Sequence, residues 1–100
     1  MVIYYIKTNE FTWDEEKNRK LLRERNVSFP DVLVAIRENR ILDIVKHHNE
    51  GKYPDQMIII VEIINYAWLV PFVYTNDNSI FLKTIIPSRK AARKYMRNVK

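Results

Sequence analysis

The chain has 100 residues, 47% of them hydrophobic, and a mean hydropathy of -0.33, which excludes a disordered chain and fits one domain over residues 1–100. It holds no cysteine, so disulfides, thiolate metal sites and cysteine catalysis are excluded, and a reducing cytoplasm is the expected compartment. The net charge of +5 and pI of about 9.6 point to polyanionic partners, RNA, DNA or an acidic protein.

Val2 to Lys7 is rich in β-branched and aromatic residues and predicts a strand. The absence of a cationic lead and of a small-residue cleavage site argues against a signal peptide. A helix is expected from Thr12 to Arg25, with Thr12 and Glu15 as a capping box. Its acids lie in the first turn and its bases in the last, as the helix dipole favours. Trp13, Leu21 and Leu22 would form its apolar stripe, and Asn26 a left-handed stop. Ser28 is the expected cap of a second helix, with Pro30 and Asp31 in its first turn. Phe29, Val32, Leu33 and Ile36 recur at helical spacing, and Asn39 would end it.

Arg40 to His48 predicts a strand running into a polar loop, which holds the single glycine, Gly51. Three apolar runs follow, "QMIIIVEII", "YAWLVPFVYT" and "SIFLKTII". Asn65 marks the first gap and Asn76-Asp77-Asn78 the second, so a meander with one face on the helices is expected. Glu62, Asn65 and Pro71 interrupt this apolar region, and no stretch approaches the roughly 18 apolar residues of a membrane span. Pro71 inside a strand implies an edge or a bulge. Strict alternation would put Phe81, Lys83 and Ile85 on one face and Leu82, Thr84 and Ile86 on the other, so Lys83 and Thr84 share a site only if the strand bulges.

Pro87 would end the last strand and Ser88 cap a closing helix, with Ala91, Ala92, Tyr95, Met96 and Val99 on its packed face. Residues 83–100 carry seven bases and no acid, whereas residues 14–25 mix four acids with five bases. The whole predicts an α+β domain: two N-terminal helices, an antiparallel sheet of about four strands and a basic C-terminal helix.

The block "FTWDEEKNRKLLRERNVSF" resembles the opening of BrnT-type toxins, which begin F-x-W-D-x-x-K and run on to a K-H-G-V-S-F turn. The ending "VYTNDNSIFLKTIIPSRKAARKY" is similar to that family's last hairpin and helix, where V-Y-T is followed by R-I-I-S-A-R-K-A. The resemblance covers residues 11–96. It implies a RelE-like fold and the toxin of a type II toxin–antitoxin pair, an endoribonuclease neutralised by a small protein antitoxin. That antitoxin typically carries a ribbon-helix-helix domain, through which the complex binds operator DNA. Tyr74, Thr75, Arg89 and Lys90 match the family pattern. Arg25 stands at the family histidine, Asn26 at its glycine, Thr84 at its first arginine, and Pro87 and Ser88 at Ser-Ala.

Cleavage of RNA by its own 2′-hydroxyl needs a base, an acid and cations around the phosphorane. Arg89 is the candidate for charge stabilisation, with a guanidinium that can hold phosphate through two hydrogen bonds. Lys83 and one of His47 and His48 are the candidates for proton transfer, His47 being preferred. Lys90 and Arg93 would bind flanking phosphates, and Lys52, Tyr53 and Gln56 would grip phosphate or stack on a base. Each has a structural alternative: a solvated helix face for Arg89, edge protection for Lys83, an exposed loop for the histidines. Glu62 reads as a solvent-facing strand residue, and Tyr95 as core. No cofactor and no metal site is expected, since no carboxylate–histidine spacing suits one.

Overall fold

A computed structural model describes residues 10–47, 49, 51, 52 and 54–96. The strand expected over Val2 to Lys7 lies outside them, as do His48, Tyr53 and Val99. Six strands and three helices run in the order β1 (Phe11–Thr12), α1 (Glu15–Arg25), α2 (Phe29–Arg37), β2 (Ile41–Lys46), β3 (Met57–Ile63), β4 (Tyr66–Tyr74), β5 (Ile80–Leu82), β6 (Ile86–Pro87) and α3 (Arg89–Tyr95). The α+β class is as expected; the sheet is larger and mixed. Its strand order is β1-β5-β4-β3-β2, with β6 also on β4, and β1 joins β5 in parallel.

That parallel pair explains a corrected helix start. Thr12 pairs with Phe81 in the sheet, so it cannot cap α1. Asp14 does so instead, its side chain accepting from the Glu16 N–H at 2.9 Å. Asn26 ends α1 in the left-handed conformation, φ 59°, which Asn tolerates better than most residues. Leu22 is exposed and does not join the apolar stripe. Asn18 is buried in its place, and its Oδ1 accepts the Phe29 N–H at 2.7 Å, fixing the α1–α2 corner. Ser28 caps α2 as expected, in a capping box closed by Asp31. Asn39 takes φ 62° just past its end.

The sheet is covered on both faces, not one. Phe29, Val32 and Ile36 of α2 and Leu21 of α1 pack on Ile59, Val61, Val70, Phe72 and Leu82. On the opposite face Ala91 and Met96 pack on Ile58, Ile60 and Ala67. Successive β3 residues therefore enter different cores, which is why "MIIIV" is a continuous apolar run. The β3–β4 hairpin turns through Ile64 and Asn65 at φ 52° and 59°, the backbone of a type I′ turn.

The expected alternation after Leu82 fails at a bulge. Phe72 pairs with Leu82, but Leu69 pairs with Ile86, so three residues oppose two on β4. Leu82 and Ile85 therefore both face the core, while Lys83 is exposed. Pro71 is not on an edge; it sits in β4 against this bulge. Its carbonyl accepts the Lys83 N–H at 2.8 Å. A strand residue aims its N–H and C=O the same way, so the N–H that Pro71 lacks would point at the same irregularity. The Ile85 carbonyl accepts from Arg25 Nη1 at 2.6 Å, which ties the end of α1 to the bulge.

Candidate nucleic-acid interface

Helix α3 crosses the sheet face opposite α1 and α2. Ser88 caps it, with Oγ accepting the Ala91 N–H at 3.0 Å. Its small residues lie against the sheet, while Arg89, Lys90, Arg93 and Lys94 are exposed. Tyr95 donates to Asp43 Oδ2 at 2.5 Å, binding the helix to β2. This bond to the carboxylate, with desolvation behind it, raises the Tyr95 pKa above its ordinary value of 10.0. Lys94 Nζ stands 5.2 Å from the Tyr95 ring centre, in cation–π range.

Between α3 and the sheet lies a cleft of about 250 Å³. Val45, Ile58, Ile60 and Leu69 line its apolar part, and Lys46, Lys90 and Lys94 supply three ammonium groups. Lys46 also lines a groove of about 440 Å³ with Pro54, Asp55, Gln56, Met57 and Tyr74. Pro54, Asp55 and Gln56 are in turn the wall of a third hollow, of about 190 Å³, completed by Val73 and Lys83. The three depressions thus adjoin through shared residues, and Lys90, Lys94, Lys46 and Lys83 line them. An ammonium-lined surface of low local dielectric attracts polyanions.

His47 lies beside this surface. Its backbone N–H donates to the Gln56 carbonyl at 3.0 Å, and its Nδ1 accepts the Asn49 N–H at 3.0 Å. With Nδ1 engaged as acceptor, the neutral ring carries its proton on Nε2. His47 and Lys83 therefore both adjoin Gln56. Arg89, Arg93 and His47 itself line none of the three depressions. Lys52 is exposed in the loop, where its N–H donates to Asn49 Oδ1 at 3.2 Å; Tyr53 lies outside the described residues. Glu62 is half-buried on β3. Among the described residues no group of three or more His, Asp or Glu could hold a metal ion, and no helix is long and apolar enough to cross a membrane.

Sequence reasoning gave Lys46 and Lys94 no role, and Tyr74 a match to the family pattern but no task; Gln56, grouped there with Lys52 and Tyr53, does line the grooves. The signal for Lys46 was positional: it ends β2, paired with Met57 at the start of β3, next to the His47–Gln56 backbone bond. Compared with models of protein families, with curated proteins and with solved structures, the chain gives no significant match.

Proposed function

We propose that this chain is the toxin of a type II toxin–antitoxin pair, a RelE- and BrnT-like endoribonuclease that arrests growth by cleaving RNA in the cytoplasm. A cognate protein antitoxin, of ribbon-helix-helix type, neutralises it and carries the complex to DNA. The observation that carries the RNA-directed part is the set of adjoining lysine-lined depressions, with Lys83 and Gln56 in one of them and His47 bonded through its backbone to Gln56. The toxin reading rests in addition on the order of sequence blocks over residues 11–96.

In the reaction the 2′-hydroxyl attacks the adjacent phosphorus and the bond to the 5′-oxygen breaks, leaving a cyclic phosphate and a 5′-hydroxyl. Lys83 and His47 are the groups to which we assign the two proton transfers. Arg89 stabilises the phosphorane charge, and Lys90 and Arg93 hold neighbouring phosphates.

A second reading has its own support. Arg89 lies outside the depressions that hold Lys83, and Arg25, at the family histidine, donates to a backbone carbonyl. A homologue that binds RNA or antitoxin without cleaving would look the same. Induction in cells separates the two, with wild type beside Arg89→Ala and Lys83→Ala and RNA integrity read from the same cultures. Arrest and RNA fragmentation by wild type, absent in a folded variant, support the nuclease. Intact RNA and normal growth with wild type leave the binding reading. Binding itself is tested by replacing Lys46, Lys90 and Lys94 with Gln. The log–log salt slope for single-stranded RNA should then fall by about 2, at about 0.7 for each phosphate no longer neutralised.

A further inference from the structure

The groove beside β2 has a composition that the cleavage chemistry does not use. Tyr74 is 49% exposed, the one exposed aromatic side chain among the described residues. Its ring is held edge-to-face against the buried Phe72, with centres 5.8 Å apart and planes at 78°. An exposed ring fixed in orientation offers a stacking face with little ordering left to do. Asp55 and Lys46 share the groove with it. The volume of about 440 Å³ lies in the range of small-ligand sites.

We infer that this groove is a nucleotide subsite for single-stranded RNA that prefers guanine, with the base on Tyr74, its Watson–Crick edge on the Asp55 carboxylate, and a phosphate on Lys46. The inference rests on the RNA-directed reading above. Stacking on Tyr74 suits any base, because every base presents a π face. Selectivity comes from Asp55. A carboxylate is acceptor-only, with two oxygens side by side. Guanine is the base whose Watson–Crick edge presents two adjacent donors, N1–H and the N2 amino group, so it alone can fill both. Adenine and cytosine bring one amino donor beside a ring-nitrogen acceptor, which faces the second oxygen unfavourably. Uracil brings one N–H between two carbonyls. Strand register puts Lys46, Met57 and Tyr74 on the α1/α2 face and the α3 cleft on the other. A strand anchored by its base at Tyr74 therefore reaches Lys90 and Lys94 only by passing round the edge at Lys46, which lines both hollows.

The test uses fluorescently labelled, 2′-O-methylated hexauridylate with one central position changed to guanine, adenine or cytosine. These oligomers lack the attacking hydroxyl and cannot be cleaved, so binding is read by anisotropy apart from any nuclease activity. The guanine oligomer should bind about tenfold more tightly than the other three. Asp55→Asn, which keeps one acceptor oxygen, should abolish that preference. Tyr74→Ala should weaken all four by about tenfold, and Tyr74→Phe should retain binding. Equal affinity for all four oligomers overturns the subsite, as does a preference that survives Asp55→Asn. Unchanged binding in a folded Tyr74→Ala protein overturns it too. Guanine-selective binding by a protein that cleaves no RNA in cells would keep the subsite and remove the nuclease reading. Cleavage with no guanine preference in these oligomers would do the reverse.

Discussion

The two faces of the sheet are built differently. The α1/α2 face is a sealed core in which Phe29, Val32, Phe72, Ile80 and Leu82 have no exposed surface. The α3 face rests on fewer and smaller side chains, Ala67, Ala91 and Met96 among them, and opens into the lysine-lined cleft. Burial of large apolar side chains is where a small domain obtains its stability. The first face therefore holds the fold together, and the second is free to carry charge that would be costly in a core. Lys90 and Lys94 remain at the rim, while Ile58 and Ile60 supply the apolar floor.

Substitutions can break that division. Phe29→Ala should cost about 3–5 kcal/mol in denaturant unfolding, because it empties the sealed face. If Met96→Ala on the other face cost as much, the two faces would be equal partners and the contrast would fail. Asn18→Ala should cost about 2 kcal/mol in the same measurement, since the buried Phe29 N–H loses its acceptor. The α3 side should respond more weakly. Tyr95→Phe removes one bond to Asp43 and should cost about 1 kcal/mol at neutral pH.

That variant also carries a pH signature. The folded Tyr95 pKa lies above its ordinary value of 10.0, so the folded state keeps a proton that the unfolded chain releases. Its stabilisation is complete below pH 10.0 and is lost as pH rises through the folded value. Wild type should therefore lose its advantage over Tyr95→Phe in alkaline urea titrations. An effect of similar size but opposite sign is expected outside both cores. Ile64 is β-branched, 72% exposed and held at φ 52°, a conformation that disfavours it. Ile64→Asn should raise stability by about 1 kcal/mol, seen as a higher unfolding midpoint.

What could be read from the sequence was local. Ser28 with Asp31, Ser88, Asn26 and Asn39 announce their caps and stops through side-chain chemistry within a few residues. What could not be read depends on contacts between distant segments. Thr12 looks like a cap until Phe81 recruits it into the sheet. The continuous apolar run of β3 signals cover on both faces, but it does not show that α3 supplies the second cover. The bulge follows from the mismatch between β5 and β6 against β4, and it redirects Ile85 into the core. The candidate site suffered likewise: Lys83, His47 and Gln56 were visible as residue types, but Lys46, which lines two of the three depressions, is identified only by the structure.

The bond between Arg25 and Ile85 spans 60 residues, and this separation has a consequence for synthesis. The α1–α2 unit leaves the ribosome well before the strands it packs on. At about 5–20 residues per second, those 60 residues take roughly 3–12 seconds to add. Through that interval Leu21, Phe29 and Ile36 have no sheet to cover them, and helices of 11 and 9 residues are marginal alone in water. The first third of the chain becomes durable structure when the last third arrives, so a nascent chain halted before Ile85 would present its apolar helices to whatever is nearby.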